Sequence, residues 1–137
     1  MSKRFYVDTA IWMDYYQNRT DRFRPLGELA KAFLKRALEE EWVLLYSKMV
    51  IDELQTYFTD IEIREIFNAS TSLLSEIEIA DAQWKEAEQL AILHAVPFGD
   101  ALHAVLARDS DAVIITRDRH FKRLKDIAAW KKPEELR

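Results

Sequence analysis

Apolar residues fall along this chain in two kinds of run. Short continuous ones, RFYV, WVLLY and AVIIT, alternate with longer segments in which apolar positions recur at helical spacing. The short runs predict strands covered on both faces, and the longer ones predict amphipathic helices. RFYV ends at Asp8, and TAIWMDYYQNR follows as a helix with Ile11, Trp12, Tyr15 and Tyr16 as its apolar positions. A loop, TDRFRPLG, is punctuated by Pro25 and Gly27. In ELAKAFLKRALEEE, residues Leu29, Ala30, Phe33, Leu34, Ala37 and Leu38 share one face. After WVLLY, Ser47 is placed to cap the helix KMVIDELQTYF, and Asp60 to cap DIEIREIF. SEIEIA alternates and reads as an edge strand or an extended connector. Asp81 opens AQWKEAEQLAILHA, which Pro97 and Gly99 break. Asp100 caps ALHAVLARD, AVIIT is a buried strand, IAAW a last short strand, and KKPEELR a frayed turn. Strands separated by helices predict an α/β fold, a single domain over residues 1–137. Its central parallel sheet has about four to five short strands flanked by helices on both faces.

Composition narrows the chemistry. With 49% apolar and 12% aromatic residues, the chain has material for a core. Two glycines, Gly27 and Gly99, cannot write a Gly-rich phosphate loop. The absence of cysteine excludes disulfides, thiolate nucleophiles and Cys-ligated zinc. No apolar run reaches the roughly 18 to 20 residues of a membrane span, and MSKRFYVDTA carries no apolar signal region. The expectation is a soluble cytoplasmic protein with no membrane partner. A net charge of −4 argues against a generally basic nucleic-acid binder but leaves room for a local basic patch.

The acids give the strongest functional signal. A helix of about ten residues from Asp100 rises roughly 15 Å, and AVIIT then returns over a similar length at roughly 3.3 Å per residue. Asp100 and Asp118 therefore finish at the same edge, the carboxyl end of the strands, where Asp8 also lies. In open parallel sheets this is the ligand-binding edge. In KMVIDELQTYF, at about 100° per residue, Glu53 falls on the flank of the apolar face and Asp52 nearly opposite it. Glu53 can thus lean toward the same edge. Four carboxylates brought together without a counter-ion repel, and some take up protons. A hard divalent cation with oxygen ligands removes that penalty. Mg²⁺ or Mn²⁺ at Asp8, Glu53, Asp100 and Asp118 is machinery for phosphodiester hydrolysis.

These segments resemble those of the PIN domain family, the fold of the VapC-type toxin ribonucleases. YVDTAIW resembles the opening strand with its first acid, Asp8. SKMVIDEL resembles the segment bearing the family's Glu, here Glu53. VPFGDALHAVLA carries the third acid, Asp100, and VIITRDRHF resembles the hydroxyl-x-Asp segment with Thr116 and Asp118. Ala10 departs from the Ser or Asn that many members carry there. The resemblance implies a metal-dependent endoribonuclease that cleaves single-stranded RNA. It also implies an antitoxin partner that inserts a peptide into the site, and frequent homodimers.

Other residues admit two readings each. Thr9 and Thr116 either orient a carboxylate or a water, or are ordinary strand-end hydroxyls. His103, three residues after Asp100, reads as a packing or supporting residue rather than a ligand. Arg117, Arg119, Lys122 and Arg123 form a basic tract beginning at the site. It either grips RNA phosphate or is a solvated helix face. Asp14 reads as a cap, a turn residue or surface charge rather than a site residue. Three other functions compete: a non-catalytic interaction module of the same fold, a structure-specific DNA nuclease, and a phosphoryl-transfer enzyme with Asp8 as nucleophile. The last would want a second Asp two positions on, where the chain has Ala10.

Overall fold

The structure is a computed structural model and describes residues 2–136. Five strands form one parallel sheet: β1 (Arg4–Val7), β2 (Val43–Ser47), β3 (Leu74–Ile77), β4 (Val113–Ile115) and β5 (Trp130–Lys131). Their order across the sheet is β3-β2-β1-β4-β5. The alternating segment SEIEIA contributes the edge strand β3, and β5 begins at the last residue of IAAW. Six α-helices cross between the strands: α1 (Thr9–Gln17), α2 (Leu26–Glu40), α3 (Lys48–Gln55), α4 (Asp60–Asn68), α5 (Asp81–His94) and α6 (Phe98–Asp109).

Strand β1 shows how both faces are covered. Its side chains alternate in direction. Phe5 meets Phe33 of α2 edge-on, with ring centroids 5.8 Å apart, and Trp42 at 4.8 Å. Tyr6 turns to the opposite face and meets His103 of α6, with centroids 5.2 Å apart. The central strands bury both faces because they are apolar throughout. Leu44, Leu45, Ile114 and Ile115 are all fully enclosed.

Helix ends depart from the sequence expectation in several places. Helix α4 is capped by Thr59, not Asp60. The Thr59 hydroxyl accepts the backbone N–H of Glu62 at 3.2 Å, and the Glu62 carboxylate accepts that of Thr59 at 3.0 Å. Helix α6 begins at Phe98 after Pro97, so Asp100 stands in its first turn instead of capping it. Ser47 precedes α3, but its hydroxyl is engaged by Tyr6 and makes no cap bond. Before α5, the Gln83 side chain accepts the Ala80 N–H at 2.8 Å. With only two glycines in the chain, the left-handed ends of α1, α2 and α5 fall to Asn18, Glu41 and Ala95.

The two possible caps of α4 are separable by mutation. Thr59→Ala should destabilise the protein by about 1 kcal/mol through loss of the capping box. Asp60→Asn removes only a first-turn charge and should cost no more than about 0.5 kcal/mol. Urea unfolding of both variants checks the order; an equal or reversed pair would return the cap to Asp60.

Candidate active site

The strand order reverses at β1. The chain leaves β1 toward β2 on one side, and β4 lies on the other. A crevice opens at such a point outside the carboxyl ends of the strands. Asp8 follows β1 directly and is only 6% exposed; its backbone N–H continues the ladder to Ile115 at 3.0 Å. Its carboxylate does not cap α1. Instead, Oδ2 accepts the Thr116 hydroxyl at 2.7 Å, and that same hydroxyl accepts the Asp118 N–H at 3.0 Å. One buried side chain at the end of β4 thus ties together the acids that follow two adjacent strands.

Asp100 reaches the same crevice from the first turn of α6. The donor atoms of Asp100, Asp118 and His120 all lie within 4.8 Å of one another, the one such metal-donor group among the described residues. His120 Nδ1 stands 2.8 Å from Asp100 Oδ2 and 2.9 Å from Asp118 Oδ1. The Asp118 carboxylate also accepts the His120 backbone N–H at 2.9 Å, opening the 3₁₀ segment Arg119–Leu124. Sequence reasoning passed over His120. The available signal was its place in DRHF, two residues beyond a strand-end acid, as one of three histidines in the chain.

Glu53 arrives from the second turn of α3 and is held from behind. Its Oε1 accepts the Thr9 hydroxyl at 2.9 Å and His103 Nε2 at 2.6 Å. His103 is fully buried, and its Nδ1 lies 2.7 Å from the Tyr6 hydroxyl, which lies 2.7 Å from Ser47 Oγ. Oε2 carries none of these bonds. A methyl on Gly99 would stand 3.3 Å from it, so the glycine leaves that oxygen room at the start of α6.

The charges respond to this crowding. Burial pushes the Asp8 carboxyl up, and the charges of Glu53 and Asp118 add to the shift; His103 and the Thr116 hydrogen bond pull the other way. Asp100 is pushed up to about 6, first by burial, then by the charges of Asp118 and Asp8. Burial alone would raise the Glu53 carboxyl, but the His103 hydrogen bond and charge and the Thr9 hydroxyl bring it below its usual value. Burial alone would lower the His103 imidazole, yet its bond to Glu53 and the charges of Asp8, Glu53 and Asp100 leave it raised. The raised His103 thus faces Glu53, while burial and neighbouring acids raise both Asp8 and Asp100. An oxygen-rich crevice of this kind fits the chemistry of a hard divalent cation.

The basic tract divides. Arg117 is 12% exposed on its side chain and forms a two-pronged pair with Glu134 at 2.9 and 2.7 Å. Arg119 and Lys122 are exposed on the rim, and Arg123 donates to the Ala95 carbonyl at 2.8 Å. Phe121 and Leu124 of the same segment are buried, which turns the basic residues outward. Asp14, expected at the surface, is buried on α1. Burial raises its carboxyl against the charges of Arg19 and Arg117.

The PIN domain family model matches residues 5–127, and the chain belongs to that family. Its members are generally nucleases. Among solved structures, VapBC2 from Rickettsia felis, bound to a DNA fragment from their promoter, is similar at a TM-score of 0.69 and 16% identity, covering 94% of this chain and 98% of that one. FitAcB from Neisseria gonorrhoeae is similar at a TM-score of 0.61 and 18% identity, covering 96% of this chain and 99% of that one. PAE2754 from Pyrobaculum aerophilum is similar at 0.59 and 18%, covering 99% and 95%. At these identities the likeness concerns the fold. No curated protein sequence matches the chain.

The raised acids set a direction for stability against pH. A carboxyl whose folded pKa lies above its unfolded value contributes stability below the unfolded value, and loses it as pH rises through the folded one. For Asp100 the window runs from 3.8 to about 6, and Asp8 and His103 act in the same sense. The metal-free protein should therefore be more stable at pH 5 than at pH 7. Saturating Mn²⁺ should reverse the trend, because protons compete for the same oxygens. Urea midpoints at both pH values, with chelator and with Mn²⁺, measure this. A metal-free midpoint that rises from pH 5 to pH 7 would show that the acids do not crowd one another.

Proposed function

We propose that this chain, acting as one domain over residues 1–137, is a metal-dependent endoribonuclease that cleaves single-stranded RNA. In this reading it is the toxin of a toxin–antitoxin pair and works in the cytoplasm. The observation that carries the reading is that Asp100 and Asp118 have donor atoms within 4.8 Å of each other at the point where strand order reverses, with Asp8 linked to Asp118 through Thr116. Such a site has surplus negative charge, which a divalent cation, Mg²⁺ or Mn²⁺, would offset. Membership of a nuclease family supports the reaction class, and likeness to VapBC2 supports the toxin assignment and an antitoxin partner. Among the described residues no helix is long and apolar enough to cross a membrane.

A divalent cation, when bound, supplies a Lewis acid for phosphate oxygens and for water. The chain's residues do the rest. Asp8, Asp100 and Asp118 would hold the cation, and Thr116 fixes the first and third of these relative to each other. Glu53 keeps Oε1 turned toward Thr9 and His103, leaving Oε2 to accept a proton from an attacking water. Arg119, Lys122 and Arg123 line the rim and attract the RNA backbone. Arg117, committed to Glu134, contributes by anchoring the loop between β4 and the 3₁₀ segment.

Purified protein should cut single-stranded RNA with Mn²⁺ or Mg²⁺ and stop in excess chelator, and Asp100→Asn should be inactive with its fold intact. Replacing Arg119, Lys122 and Arg123 together with Ala should weaken RNA binding and flatten its dependence on salt. Cleavage that survives chelation would sink the metal mechanism; an unchanged salt slope would remove the basic rim from the RNA path. We further propose that the protein pairs as a homodimer, consistent with strongly exposed Phe23, Tyr57, Ile61, Ile92 and Leu93. Light scattering at micromolar concentration should report twice the chain mass, and a monomer there would refute the pairing.

A further inference from the structure

The acids do not form one uniform cluster. The tight donor group contains a nitrogen: Asp100, Asp118 and His120. We propose that His120 is itself a ligand of the cation through Nδ1, and that this nitrogen makes the site select Mn²⁺-like ions over Mg²⁺. The inference rests on the reading that the crevice takes a divalent cation.

Geometry carries the argument. Nδ1 is 2.8 Å from one carboxylate oxygen and 2.9 Å from the other. Donors on adjacent positions of an octahedral ion with bonds of about 2.1 Å stand roughly 3.0 Å apart. The three groups are thus already near ligand spacing, with Nδ1 pointed between the two acids. The aim of the ring is fixed locally, because Asp118 also holds the His120 backbone N–H. The side chain is 41% exposed, so it sits at the mouth of the crevice and is open to an incoming ion. Among the described residues Nε2 has no protein hydrogen bond, which leaves the ring anchored through the acid-facing edge alone.

The chemistry follows from donor type. Nδ1 lies between the two carboxylates, and as a neutral imidazole nitrogen it would offer its lone pair to an ion placed among them. Imidazole favours first-row transition ions. Mn²⁺ is the first of that series and shares Mg²⁺'s affinity for oxygen, but it accepts a nitrogen donor more readily than Mg²⁺, which demands a near-ideal oxygen octahedron. A PIN site built from carboxylates alone would lack this preference; here a residue of the DRHF segment introduces it.

The test uses the full chain. Calorimetric titration with Mn²⁺ and with Mg²⁺ should show His120→Asn losing about tenfold or more in Mn²⁺ affinity, the scale on which lost supports of metal ligands register, with a much smaller change for Mg²⁺. The electron spin echo of Mn²⁺ bound to the wild-type chain should show coupling to a nitrogen nucleus, absent in His120→Asn. Mn²⁺ bound without nitrogen coupling would overturn the inference, as would equal losses for both ions; His120 would then be only a charged neighbour of the acids. A wild-type chain that binds neither cation would overturn the metal reading itself, and this inference with it.

Discussion

The buried carboxylate of Asp8 is the group around which the rest of this site is arranged. A carboxylate removed from water is expensive unless hydrogen bonds and opposite charge compensate it. Asp8 receives one short bond, from the Thr116 hydroxyl, and a stabilising attraction from the buried His103. Against these stand Glu53 and Asp118, which raise its pKa further. The protein thus holds a charge deficit in its structure, and the neighbouring elements are placed so that the deficit opens onto the crevice. Stability is given up at that crevice, a common relation between strained electrostatics and functional sites.

Two supporting systems keep the acids apart in role. On one side, Thr116 couples Asp8 to the Asp118 backbone, so that the ends of β1 and β4 move as one. On the other, the series Ser47, Tyr6, His103 and Glu53 runs from the end of β2 through the centre of β1 to α6 and back to α3. It brings a histidine charge to Glu53 without exposing that histidine to solvent. Glu53 on α3 is therefore lowered while Asp100, in the first turn of α6, is pushed up to about 6. Two carboxylates of one site are thus shifted in opposite directions by their surroundings.

The parallel sheet makes this arrangement economical. Each β-to-α connection delivers a residue to the same edge, so Asp8, Glu53 and Thr116 with Asp118 arrive from three neighbouring strands without a long loop. Asp100 joins them because α6 starts at that edge before β4 runs back to it. The rim then depends on a short 3₁₀ segment, whose buried Phe121 and Leu124 press the chain down while its basic residues face outward.

Much of this was written locally in the chain. Uninterrupted apolar runs announced the strands, and an acid stands directly after RFYV and two residues beyond VIIT. Helix periodicity distinguished Glu53 from Asp52, since an angle of one residue step is enough to move a side chain from the core flank to solvent. What the local pattern could not contain was the partner of each group. Tyr6 and His103 are 97 positions apart, and Thr116 and Asp8 are 108. The withdrawal of Arg117 into a pair with Glu134, the burial of Asp14 and the place of His120 between two acids likewise arise only when separate segments meet. Even the caps shifted for this reason: Ser47 was drawn to Tyr6 and so does not cap its own helix. Sequence alone determined the elements and the acids at their ends, because periodicity and strand-end position are properties of neighbouring residues. Tertiary structure alone decided which acids are shifted, which are held and which histidine stands between two acids, because burial and Coulombic coupling depend on distances that only the folded chain sets.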